Sequence, residues 1–211
     1  MSESPTIECT RNGPYVVKQL ENLRNSRGDG LPVKPAVALC RCGGSANKPF
    51  CDGTHKRNGF VSATQSGASA PARGDYRGRR IVIHDDRALC AHAGRCTDGL
   101  SAVFKYGSEP WIDPDGASVE AVIAAIRACP SGALSFSVDG IEPPAPARSP
   151  ALTVTKDGPY AVVGAVRLIG EQPGALASTE HFTLCRCGAS NNKPFCDGTH
   201  WSVGFTDDAT P

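Results

Sequence analysis

The amino-acid sequence predicts a small α+β protein built mostly of short strands, and three observations lead there. Against 6% aromatic residues stand 23 glycines and 17 prolines, a balance that makes turns frequent and elements short. Short β-branched stretches bounded by Gly and Pro recur along the chain, while a helical spacing of apolar residues occurs in one place. A cysteine-rich loop is written twice. Metal ligation of that kind supplies the folding energy that a thin core lacks.

The elements follow in order. Residues 15–20, YVVKQL, begin just after Gly13-Pro14 and read as a strand. Residues 61–74 (VSATQSGASAPARG) and 140–151 (GIEPPAPARSPA) are rich in Pro, Ala, Gly and Ser and read as linkers. Between them, residues 79–84 form a strand and a cysteine loop follows. Residues 117–128 then carry Val119, Val122, Ile123 and Ile126 at helical spacing, and Pro130 ends that helix just after Cys129. Residues 161–163 repeat the first strand. The chain divides into a first unit at 1–62, a linker at 63–74, a central domain at 75–140, a linker at 141–151 and a second unit at 152–211.

The run CRCGGSANKPFCDGTH at 40–55 returns as CRCGASNNKPFCDGTH at 185–200, and GPYV at 13–16 returns as GPYA at 158–161. From 40–60 to 185–205, sixteen of 21 positions are identical. The units are an internal duplication with one local fold. Each loop carries Cys-x-Cys (Cys40 and Cys42; Cys185 and Cys187), a third cysteine (Cys51; Cys196) and a histidine (His55; His200). Three soft thiolates and a borderline imidazole suit zinc or iron-sulfur chemistry and not calcium or magnesium. The Cys-x-Cys pair places two sulfurs on one metal, while Pro49 and Pro194 aim the other two donors from the far side. Asp52 and Asp197 read as N-caps of a short helix holding the histidine, with Gly53 and Gly198 allowing the turn. Ser45 and Ser190 are positioned to donate to sulfur. Arg41, Arg186, Lys48 and Lys193 read either as charge compensation for the site, as contacts to an acidic partner, or as solvated surface cations.

The formal charge is +1 and no long basic run is present, which argues against nucleic acid as a partner. No secretory pattern opens the chain and nowhere do eighteen apolar residues run together, so no direct membrane anchor is expected and a cytoplasmic protein is the default. In a reducing compartment its ten cysteines are expected to serve as metal ligands or catalytic groups rather than disulfides, and the tight spacing in the repeats supports the metal reading.

The pattern C-x-C-x2-S-x3-P-x-C-D-G-T-H, unbroken in both copies, resembles the CDGSH iron-sulfur domain of mitoNEET-like proteins. The resemblance implies a 2Fe-2S cluster in each copy, one iron on Cys40 and Cys42 (Cys185 and Cys187), the other on Cys51 and His55 (Cys196 and His200). Familiar members pair two membrane-anchored chains with one motif each. This chain carries two motifs, so the resemblance implies small β-rich units folded against each other as an intrachain pseudo-dimer, and a monomer overall. Structural zinc is the competing reading of the donor set, although zinc sites usually separate paired cysteines by two to four residues.

The central domain carries CAHAGRC at 90–96 and Cys129-Pro130 followed by SGAL. It resembles a ferredoxin-like, divergent 4Fe-4S mono-cluster domain. Ala93 stands where a middle cysteine is usual, so Cys90, Cys96 and Cys129 suit a 3Fe-4S cluster, or a 4Fe-4S cluster completed by His92, His84 or an external ligand. A domain that has lost its metal and keeps buried thiols is the alternative. Cys9 faces Val154 in the duplication and reads as a strand thiol. No nucleophile elbow, phosphate loop, dinucleotide fingerprint or zinc-protease helix occurs, so the chain is not expected to be an enzyme. The expectation is a soluble electron carrier or redox- and pH-responsive protein working with a redox partner. Cluster storage and transfer to an apo-protein acceptor is one alternative, and a zinc-stabilised interaction module another.

Overall fold

The computed structural model describes residues 4–63, 73–144, 146–170 and 180–207. Among the described residues eleven strands and three short α-helices make an α+β, β-rich protein, as expected. The first unit contributes β1 (Thr6–Cys9), β2 (Tyr15–Lys18), β3 (Leu23–Arg24) and β4 (Ala36–Leu39). The central part contributes β5 (Gly74–Arg77), β6 (Ile81–Asp85), α1 (Arg95–Gly99), α2 (Val119–Arg127) and β7 (Leu134–Val138). From the second unit come β8 (Ala151–Val154), β9 (Tyr160–Val163), β10 (Arg167–Gly170), β11 (His181–Leu184) and α3 (Thr199–Ser202).

Each repeated unit forms an antiparallel three-stranded core, β1-β2-β4 or β8-β9-β11, and each takes its fourth strand from the other unit. β10 lies parallel to β1 with Ile7 opposite Leu168, and β3 lies parallel to β8 with Leu23 opposite Leu152. The inward residues alternate along the strands, as period-two patterning requires. Ile7, Cys9, Tyr15, Val17, Leu152, Val154, Tyr160 and Val162 are all buried and share one core. Tyr15 and Tyr160 meet edge to face at its centre, their centroids 5.9 Å apart.

The central part is an antiparallel sheet, β5-β6-β7, with α2 packed on β7. The helix starts where the apolar spacing begins, because Ser118 accepts from the Ala121 amide as N-cap. Val122 and Ile126 face inward toward a core that includes Ile81, Ile83, Phe104 and Ile112. Most of the first linker, 64–72, lies outside the described residues, and β5 begins inside its predicted end at Gly74. Among the described residues no helix is long and apolar enough to cross a membrane.

Candidate metal centres

Each repeated loop leaves the end of an edge strand, β4 or β11, and brings its four predicted donors together in pairs. The Sγ atoms of Cys40 and Cys42 stand 3.9 Å apart and those of Cys185 and Cys187 3.7 Å. Cys51 Sγ lies 3.4 Å from His55 Nδ1, and Cys196 Sγ lies 3.4 Å from His200 Nδ1. Among the described residues no three His, Cys, Asp or Glu side chains close on a single point as one metal ion requires. The donors of each loop stand two and two.

The loop geometry comes from hydrogen bonds the residue types dictate. The Asp52 carboxylate accepts from the Ala46 and Thr54 amides, at 2.9 and 3.0 Å, and Asp197 repeats this with Asn191 and Thr199. The short helices at Thr54–Lys56 and α3 are preceded by left-handed Gly53 and Gly198, so the aspartates stand one residue outside the N-cap position predicted for them. They tie the two sides of the loop together instead. Ser45 and Ser190 also depart from expectation: their hydroxyls donate to the Phe50 and Phe195 carbonyls at 2.7 Å, not to sulfur. Backbone amides do that work, from Gly53 to Cys51 Sγ at 3.4 Å and from Ala189 to Cys187 Sγ at 3.5 Å. Lys48 and Lys193 donate to the Ser45 and Ser190 carbonyls and so close the same loops.

Arg41 and Arg186 are not surface cations. They are 2% and 1% exposed, and their guanidinium groups lie against the Tyr15 and Tyr160 rings at 5.0 and 5.6 Å. Arginine is seldom buried without a partner, and of the three readings the sequence allows for these two residues the solvated surface cation is ruled out by this burial.

The electrostatics favour a cation among the sulfurs. Burial pushes the Cys40 thiol up to about 11 and the Cys196 thiol up to about 12. The hydrogen bond between Cys185 and Cys187 splits that pair, holding Cys185 well up and bringing Cys187 down. Buried thiols resist ionisation until a metal supplies positive charge. Soft donors, sulfur-directed amides and partial exclusion of water fit an iron-sulfur group.

The two loops lie back to back. A Cβ on Gly43 would meet the Cys187 carbonyl oxygen at 2.5 Å, and one on Gly188 would meet the Cys42 carbonyl oxygen at 2.7 Å. Glycine is required at both because only a bare Cα lets the strands of the loops approach so closely.

In the central part Cys90, Cys96 and Cys129 line one cavity of about 270 Å³ with His92, Trp111 and Ser131. Burial raises the Cys90 and Cys96 thiols. Three thiols on one cavity fit an iron-sulfur group by the chemistry of the donors. His92 borders this cavity, yet its ring packs against Gly198 of the second loop, where an added Cβ would meet its Cδ2 at 2.4 Å. Its carbonyl accepts from Trp201 Nε1 at 3.2 Å, and the Ala88 carbonyl accepts from Asn192 at 2.7 Å. The central part therefore docks on the second site, whereas among the described residues nothing stands within 4 Å of a Cβ built on Gly53 in the first. Sequence spacing gave no sign of this contact. His84 lies elsewhere, its Nδ1 2.6 Å from Asp75 Oδ1 across the β5-β6 pair. Cys9 is a buried thiol of β1.

Comparison with known proteins agrees with this layout. Residues 12–56 and 157–201 match the family model described as iron-binding zinc finger, CDGSH type. Residues 76–139 match the divergent 4Fe-4S mono-cluster model. The uncharacterized protein YjdI of Escherichia coli K12 is 39% identical over 61 residues, 29% of this chain and 80% of that protein. Its counterpart in Escherichia coli O157:H7 matches equally. No solved structure matches the chain. Two CDGSH modules flanking a mono-cluster module, with their cysteines and histidines gathered as described, place the chain in the CDGSH-type iron-binding family as an iron-sulfur-binding protein.

Proposed function

We propose that the chain is a soluble electron carrier with a 2Fe-2S cluster in each repeated loop and a third cluster, 3Fe-4S or 4Fe-4S, in the central cavity. In each loop one iron rests on the Cys-x-Cys pair and the other on the remaining cysteine and the histidine. The observation that carries the reading is the grouping of donors by twos, 3.9 and 3.4 Å apart in the first loop. Two metals sharing bridging sulfide ask for that grouping, and one tetrahedral zinc does not.

When bound, the clusters supply one-electron chemistry. The chain's own part is placement and shielding. Gly43 and Gly188 let the two loops touch, while His92 and Trp201 hold the central cavity against the second loop. The loops that carry the three donor sets thus touch in succession, which favours electron exchange within the chain. The exchange of β3 and β10 supports reading the repeated units, 1–62 and 152–211, as an intrachain pseudo-dimer. The stretch 75–140 is the ferredoxin-like insertion between them. The working partner is a redox protein of the cytoplasm.

Iron and sulfide counts with electron paramagnetic resonance on anaerobically purified protein test the reading. The expectation is about four irons and four sulfides from the repeated loops, and seven or eight irons in all with the central site filled. Stoichiometric zinc without sulfide, persisting after reconstitution with iron, would sink it. One observation favours a second role in cluster delivery: His55 is half-buried, whereas His200 is 5% exposed. Mixing with an apo-ferredoxin distinguishes the two, since an electron carrier retains its iron in both redox states.

A further inference from the structure

The two repeated units differ at one buried charge. In the second, every nitrogen of the Arg186 guanidinium is paired: Nε donates to the Gly158 carbonyl at 2.8 Å, Nη2 to the Thr155 carbonyl at 2.7 Å and Nη1 to the Asp207 carboxylate. Asp207 is 3% exposed, so this ion pair is shut away from water. The first unit has the same frame. Arg41 lies between the Tyr15 and Phe60 rings, as Arg186 lies between Tyr160 and Phe205. The Ser62 amide donates to Asn12 Oδ1 at 2.9 Å, as the Asp207 amide donates to Asp157 Oδ1 at 2.7 Å. Ser62 thus holds the place of Asp207, and Asn12 the place of Asp157.

Both acids of the second cradle are neutral residues in the first. Arg41 keeps one hydrogen bond, from Nη1 to the Thr10 carbonyl at 3.2 Å. Its Nε and Nη2 are buried with no partner among the described residues. A guanidinium does not shed its proton, and leaving it buried without a counter-charge is strongly unfavourable. Water would satisfy the N–H groups and leave the charge.

We propose that Arg41 binds a small monovalent anion, a halide or a formate-sized carboxylate, where the second unit carries its own carboxylate on Asp207. Asn12 and Ser62 form the rim of this site. Arg41 lies between Cys40 and Cys42, so occupancy sets the charge beside the first loop and leaves the second unchanged.

The test is a titration of the full chain with sodium bromide against sodium gluconate at equal ionic strength, read by melting temperature, with anomalous diffraction from bromide-grown crystals. The expected result is a saturating rise in melting temperature with bromide alone and one anomalous peak at Arg41, none at Arg186. Ser62→Asp removes the bromide response by supplying the carboxylate in place. Asp207→Ser, should the first variant fail to fold, creates a second response and a peak at Arg186. Formate that competes bromide away identifies a carboxylate site, and formate without effect identifies a halide site. Equal responses to bromide and gluconate with no density at Arg41 would overturn the proposal and leave water in the cradle.

Discussion

Tyr15 and Tyr160 stand edge to face at 88°, and each hydroxyl reaches across to the other unit's metal loop. Tyr15 Oη lies 3.0 Å from both the Cys185 and Pro194 carbonyls, and Tyr160 Oη lies 2.8 Å from the Cys40 carbonyl and 3.1 Å from that of Pro49. The backbone that carries the donors of one loop is therefore braced by the core of the opposite unit.

Removing one brace should be felt in the other unit's loop. Tyr15→Phe removes the hydroxyl donor shared by the Cys185 and Pro194 carbonyls, of which Pro194 keeps the Cys185 amide, and is expected to cost about 1–3 kcal/mol in chemical denaturation. It should also broaden the spectrum of the second loop more than that of the first. A variant as stable as wild type would show that the carbonyls find other donors.

Gly198→Ala and Gly53→Ala separate backbone strain from docking. Both glycines are left-handed, with φ of 83° and 86°, so each alanine costs about 1–3 kcal/mol for its backbone alone. Only at Gly198 does the new methyl collide with His92. The Gly198 variant should be the less stable of the two and should loosen the central part, read as proteolysis at the 140–151 linker. Equal losses would mean that the His92 contact contributes nothing.

Acid should empty the loops in order. Burial lowers the tendency of His200 to protonate, and Trp201 stacks beside it at 5.2 Å, whereas His55 is reached by water. Between about pH 5 and 7, where imidazole ligands compete with protons, iron loss followed by absorbance is expected in two phases. His55→Cys should abolish the faster phase and lower the potential of the first loop. A single phase indifferent to His55→Cys would exclude His55 as a donor.

The Asp52 tie has its own pH signature. The Ala46 amide and the Thr54 hydroxyl and amide hold its carboxyl well below the ordinary carboxylate range. A depressed group stabilises the fold above its unfolded value of 3.8 and stops doing so as pH falls through the depressed one. Asp52→Asn should therefore melt below wild type at pH 7, with the gap narrowing as the pH falls below 3.8 and closing as it reaches the depressed value. A gap independent of pH would assign the loss to packing.

The sequence showed the parts that depend on neighbours in the chain. The donors of both loops, the strand at Tyr15 and the helix ended by Pro130 were legible because spacing and turn residues encode them locally. Strand exchange was not: β3 is two residues long and pairs with Leu152 and Thr153, far along the chain, with no periodicity to announce it. The same holds for Arg41 and Arg186, whose burial depends on aromatic rings brought in by folding. His92 lies in a loop whose local pattern suggested a ligand, while the surface it packs on belongs to another unit.

Joining the two units in one chain has a genetic consequence. When two identical subunits assemble, every substitution appears on both sides, and a third domain meets two equal faces. Here Lys56 and Trp201 hold equivalent places in the repeat, and the tryptophan alone bonds to the His92 carbonyl. Within one chain a mutation can alter one face alone, so among the described residues the central part has one address, the second loop.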